Sequence, residues 1–154
     1  MQSHFTPYVA PRKIILYRMM QPDQIVKTMF DQDAFSQWLD IRINHVALGT
    51  CSLSMKIRKD MLNGFGIAHG GITYSIADSC LAFASNSHGR QSLSIDTSIN
   101  HIESLREGDE IVAIATEESL KNRFGFYRVE IRCNETLVAL FKGTVYRTEK
   151  EWNV

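Results

Sequence analysis

Between Met61 and Gly89 the chain carries one formal charge, the carboxylate of Asp78, although 22% of the whole sequence is charged. A carboxylate among apolar neighbours is strongly unfavourable unless it is hydrogen-bonded, faces a solvent-filled cleft or is protonated. Each of these states is useful for moving a proton or attacking a carbon. Just upstream, "NGFGIAHGG" runs from Asn63 to Gly71. Gly64, Gly66, Gly70 and Gly71 permit tight backbone paths and close approach of a ligand to the main chain. A helix opening at Gly70 would offer unpaired N–H groups to a developing oxyanion.

The periodicity around these residues says what must position them. From Gly70 to about Ser87, 100° per residue puts Ile72, Ile76, Cys80 and Phe83 on one face and Tyr74, Ala77, Leu81 and Ala84 on another. A helix apolar on nearly every side is expected to be surrounded by protein, as when a sheet wraps it. Asp78 falls between those faces. Gly70 and Asp78 are eight positions apart, a little over two turns and about 12 Å of rise. One chain can hardly bring both to the same reacting atom, whereas two antiparallel helices from a symmetric pair could.

The rest of the chain supplies the wrapping. Apolar residues at Ile25, Val26, Met29, Phe30, Ala34, Trp38 and Leu39 predict one amphipathic helix over 23–39, with Pro22 near its start. In "TCSLSMKI" Cys51, Leu53, Met55 and Ile57 alternate with polar residues, a half-buried strand, and 41–46 reads as its hairpin partner, turning near Gly49. Four more strands are expected at 91–102, 110–119, 124–133 and 137–148, separated by "REGD", "KNR" and "NET". The order is α+β with antiparallel pairing. Residues 1–20 hold two of the three prolines and read as an extension, with Met19 or Met20 a possible start, and 151–154 read as a tail.

Composition narrows the function. Lys plus Arg and Asp plus Glu are both 17, so no long-range field draws the chain to nucleic acid or an anionic membrane. No apolar run approaches the ~20 residues of a spanning helix, and "IIL" after Arg12 and Lys13 is too short for a secretory segment. A soluble, cytoplasmic protein is expected. Cys51, Cys80 and Cys133 form no CxxC pair and read as small core residues. His4, His45, His69, His88 and His101 lack metal-ligand spacing, so no metal is expected.

"NGFGIAHGG" followed by "ADS", then "SLSIDTSINHIESLREGD" and "VALFKGTVYR", resembles the hotdog-fold acyl-CoA thioesterases of the phenylacetate-pathway (PaaI-like) type, in order and spacing from about residue 24 to 148. The resemblance implies a hotdog domain over 21–150: a long central helix wrapped by a mostly antiparallel sheet of five to six strands, preceded by a short helix. It also implies homodimers that join their sheets, dimers pairing into homotetramers, and active sites at the dimer interface. Carried across residue by residue, it puts Asn63 in the loop, Gly70 at the helix N-terminus, Asp78 as the acidic residue and Ser94 in the next strand. Gly70 N–H would polarise a thioester carbonyl while Asp78 from the partner chain attacks it or activates water. Asn63 and Ser94 would orient the water or the carboxylate, and His69 would shape the loop or hold the leaving thiolate. Lys121, Asn122 and Arg123, with Arg90 and Arg128, would receive the phosphates of coenzyme A, which enters as part of the substrate, with no separate cofactor. Aromatic or medium-chain acyl groups are implied, against a wall including Phe65, Tyr74 and Phe83.

Plainer readings stand beside these. Asp78 could be satisfied by Ser75 or Ser79, Asn63 could be a turn residue, His69 a packing residue, and Ser94 could face outward. Alternation puts Asp96 on the same side as Ser94, solvated or paired. Two rival functions are a non-catalytic acyl-CoA-binding module and a hotdog dehydratase of hydroxyacyl thioesters. Asn63, Gly70 and Asp78 together disfavour the first, and the place of His69 disfavours the second.

Overall fold

Strands of alternating burial wrap one long helix. The computed structural model describes residues 20–152, so 1–19 of the expected extension, with His4 and Met19, lie outside the described residues. The elements are α1 (Pro22–Gln32), α2 (Ala34–Trp38), β1 (Arg42–Ala47), β2 (Thr50–Lys56), α3 (Gly70–Asn86), β3 (Arg90–His101), β4 (Glu110–Lys121), β5 (Phe124–Cys133) and β6 (Thr136–Glu151). The six strands form one sheet in the order β1-β2-β4-β5-β6-β3, with every pair antiparallel. This is the expected α+β hotdog arrangement.

The core lies between α3 and the concave face of the sheet. Cys51, Leu53 and Met55 of β2, Ala113 and Ala115 of β4, Val129 and Ile131 of β5, and Phe141 of β6 are buried against Ile76, Cys80, Leu81 and Ala84. Each large side chain so buried contributes on the order of 1.5–3 kcal/mol. At Gly143 on β6 the packing leaves no room for a side chain, and a Cβ there would run into Leu81 Cδ2. The cysteines are free, with Cys51 and Cys80 buried and Cys133 half-buried.

Three expectations are corrected. The helix over 23–39 is broken at Asp33, whose carboxylate accepts from Ser36 N–H at 3.0 Å and so caps a separate short α2. Local side-chain capping of this kind competes with continuation of a helix. The expected tail at 151–154 begins inside the sheet: β6 reaches Glu151, Trp152 N–H donates to Gly89 O at 2.8 Å, and its indole Nε1–H to Asn86 Oδ1 at 2.8 Å. Finally, α3 is not enclosed on every side. Gly71 and Tyr74 are exposed and Ser75, Asp78 and Ala82 half-buried, and their spacing of three and four makes one open stripe along the helix.

The two edges of the sheet differ. β1 is short, bulged between Ile43 and His45, and carries Arg42 in an ion pair with Glu110. β3 is twelve residues long and leaves Leu93 and Ile95 more than half exposed.

Candidate active site

The loop into α3 is built by Asn63. Its Oδ1 accepts from Phe65 N–H at 2.9 Å and Ile67 N–H at 3.4 Å, while Asn63 N–H donates to Ile67 O at 2.8 Å. Asn63 is thus a turn residue, as short polar side chains are in such loops. With Oδ1 committed, its Nδ2 carries the two remaining donors and makes no hydrogen bond among the described residues. His69 then caps α3: its Nδ1 accepts from Gly71 N–H at 2.9 Å. Gly70 N–H, one position earlier, has no partner among the described residues. It is one of the donors that a helix start leaves open.

Asn63, Gly70, Thr73 and His101 line one cleft of about 270 Å³. His101, which sequence reasoning did not single out, comes from the end of β3 and packs on Gly70, where a Cβ would stand 3.0 Å from its Nε2. Its inward orientation follows from the register, Ile99 opposite buried Phe141 and His101 opposite buried Ala139. Alternation from Ile99 was the available signal.

Asp78 lies in the open stripe of α3, half-buried. Burial raises its carboxyl pKa above the ordinary value, and a hydrogen bond with Ser94 acts in the opposite direction. Ser75 and Ser79 do not serve it. Ser75 Oγ donates to Gly71 O at 2.7 Å, and Ser79 Oγ meets Ser36 Oγ at 2.9 Å. Ser94 therefore faces the helix, opposite buried Val145. Asp96 does not share that face: a register shift between them sets Asp96 opposite Thr144, the neighbour of Val145 in β6.

Phe65 is 89% exposed on the loop and Tyr74 binds Thr97 Oγ1 through its hydroxyl at 2.6 Å, but Phe83 is 1% exposed and packs on Phe30. Phe83 belongs to the core rather than to a binding wall. Of the basic residues, Arg123 is held by Tyr146 Oη and Glu149 Oε1, each at 2.8 Å, and Arg90 Nε donates to Thr148 O. Lys121 is exposed without an ion pair among the described residues. Arg147 joins this end of the sheet, its N–H on Arg123 O and its Nη1 on Asn122 O, while its Nε is buried with no partner among the described residues. Arg128 stands apart, paired with Glu118 and Glu130.

A larger concavity, about 690 Å³, is lined by Asp96, Ser98, Glu118, Arg128 and Lys142. It lies on the outer face of the sheet, away from Gly70 and Asp78. Among the described residues no group of three or more His, Cys, Asp or Glu is placed to hold a metal, and no helix is long and apolar enough to cross a membrane.

The model of the thioesterase superfamily matches residues 65–140, which take in Gly70, Asp78, Ser94 and His101. A protein of Archaeoglobus fulgidus named "Putative esterase" is 37% identical over 131 residues, 84% of this chain and 85% of that one. The chain belongs to the thioesterase superfamily. The acyl-coenzyme A thioesterase PaaI of Escherichia coli is 31% identical over 125 residues, 80% of this chain and 89% of that one. The solved structure of E. coli PaaI superposes with a TM-score of 0.83 at 30% identity, covering 84% of this chain and 95% of that one.

As a thioesterase, the chain is a thioester hydrolase, and that reaction needs donors for the carbonyl oxygen and a base or nucleophile for the carbonyl carbon. Gly70 N–H and Asn63 Nδ2 are donors in one cleft. Asp78 is a carboxylate of raised basicity, but it sits about 12 Å further along the same helix.

Proposed function

We propose that this thioesterase hydrolyses acyl-coenzyme A carrying an aromatic or medium-chain acyl group, in a site shared by two copies of the chain. The observation that carries this reading is the open stripe of α3. It presents a half-buried carboxylate, Asp78, and exposed Tyr74 beside an edge strand that no other described strand covers, with Leu93 and Ile95 open. A second copy, pairing β3 to β3, would cover that stripe and bring the cleft of one subunit to the carboxylate of the other. The E. coli relative named an acyl-coenzyme A thioesterase supports the substrate class.

In the proposed reaction Gly70 N–H and Asn63 Nδ2 hold the carbonyl oxygen. Asp78 of the partner subunit takes a proton from water, whose oxygen attacks the carbonyl carbon. The carbon–sulfur bond breaks, and the proton passes to the departing thiolate. Ser94 orients the carboxylate, and His69 acts through the backbone by capping the helix. Arg90, Lys121 and Arg123 meet the phosphates of coenzyme A, with Arg147 beside them. Pairs of dimers form the tetramer, and the enzyme works in the cytoplasm.

A thiol-release screen over a panel of acyl-coenzyme A esters tests this. Asp78→Asn is expected to lose at least ~100-fold in kcat with the oligomer intact. Full activity in that variant would end the assignment, tight binding without thiol release would favour a binding module, and loss of water without thiol release a dehydratase. Mixing Asp78→Asn chains with Gly70→Pro chains probes the sharing: hybrids regain activity that neither variant has alone.

A further inference from the structure

The Thr73 hydroxyl stands between Gly70 O and His101 Nδ1, so its single hydrogen bears on which nitrogen of His101 carries the proton. The Thr73 hydroxyl donates to Gly70 O at 3.0 Å and also lies 3.2 Å from His101 Nδ1. A hydroxyl has a single hydrogen, so with that hydrogen on Gly70 O the second contact is a bond donated by His101 Nδ1–H. Neutral His101 then keeps its lone pair on Nε2. That nitrogen stands over the first residue of α3, within 3.0 Å of where a Gly70 Cβ would be.

The cleft therefore presents two kinds of group side by side. Gly70 N–H and Asn63 Nδ2 are donors, and His101 Nε2 is an acceptor. A ligand that satisfies both carries a carbonyl oxygen and, a short spacer away, an N–H. A thioester whose thiol arm bears an amide two methylenes beyond sulfur has that pattern, because the amide N–H can turn back toward the acceptor while the thioester carbonyl meets the donors.

We propose that His101 is a specificity-determining residue that accepts a hydrogen bond from the first amide N–H of an amidoethyl thiol arm. The assignment rests on reading Gly70 and Asn63 as the carbonyl-binding donors. It makes the site selective for the arm as well as for the acyl group, and Thr73 is the positioning residue that holds the imidazole in the accepting tautomer.

The test compares thioesters of N-acetylcysteamine with those of O-acetyl-mercaptoethanol, which replace the N–H by an oxygen and change little else. Wild type is expected to favour the amide about tenfold in kcat/KM. His101→Phe keeps a ring of similar size without a lone pair and should bring the ratio close to one. His101→Gln carries a carbonyl oxygen at similar reach and should restore part of it, while Glu103→Gln, at the one carboxylate-bearing position lining the cleft among the described residues, should leave it unchanged. Calorimetry with the matching thioethers, which cannot be cleaved, reads the same preference without turnover. A wild-type ratio near one, or an unchanged ratio in His101→Phe, overturns the proposal. An active Asp78→Asn variant would instead overturn the two-chain reading of the site and leave the His101-dependent preference to be judged on its own result.

Discussion

Ser94 and Asp96 stand two residues apart on β3 yet face opposite sides of the sheet, one opposite Val145 and the other opposite Thr144. A bulge inserts one residue and so reverses the side on which later side chains emerge. Ser94 is left beside Asp78, where its hydrogen bond lowers the carboxyl pKa. Ser94→Ala is expected to raise that pKa further and move the acid limb of the kcat/KM profile to higher pH. Asp96→Ala should leave both the limb and the rate within about twofold, as surface changes away from a site usually do.

Asp78 should also weigh on stability. Burial raises its pKa in the folded chain above the ordinary 3.8, so between those two values the folded state binds more protons than the unfolded one. Stability then falls as pH rises through that window, and the charged carboxylate is destabilising at neutral pH. Asp78→Asn is expected to have the higher Tm at pH 7. Melting curves taken downward through the window should show the difference shrinking, and a gap that widened on acidification would contradict the sign.

The donor at Gly70 can be deleted with little harm to the helix. Proline suits the first position of a helix, and the preceding His69 has φ −62° and ψ 136°, the extended conformation that proline tolerates before it. Gly70→Pro is expected to reduce kcat by at least about 10²–10³, the usual loss for one oxyanion donor, with a further effect from its Cβ, which would stand 3.0 Å from His101 Nε2 and push that ring aside. Circular dichroism should show the helix retained.

Gly143 tests the packing of sheet on helix. An added methyl would strike Leu81 Cδ2, and overpacking of this kind costs about 1–3 kcal/mol. Urea unfolding of Gly143→Ala should show that loss, and pairing it with Leu81→Ala should cost less than the sum of the two single changes.

Much of this was open to reading in the amino-acid order. The start of α3 at Gly70 follows from the glycine pair and the apolar run behind it, and β2 from the strict alternation of Cys51, Leu53 and Met55 with polar residues. Asp78 announced itself as a charge in an uncharged stretch. The bulge before Asp96 did not, because one extra residue in a strand leaves no compositional mark. The open stripe of α3 was hidden for a different reason. Gly71, Tyr74 and Ala82 are as apolar as core residues, so a helix face that needs covering by something else looks the same as one covered by its own sheet. The break at Asp33 was masked by the apolar spacing that continues through Ala34, Trp38 and Leu39. His101 needed the pairing of β3 with β6, a contact between distant parts of the chain.

The unequal rims of the sheet bear on how far self-association can run. In the proposed pairing of two copies along β3, the margins of the doubled ribbon among the described residues would be its two β1 strands, each kinked by a bulge and bearing Arg42 in an ion pair with Glu110 of β4. Such margins are poor templates for recruiting another strand. Growth by strand addition would then halt at the proposed couple instead of running on into a fibre, and a larger particle would be made by stacking finished couples face to face.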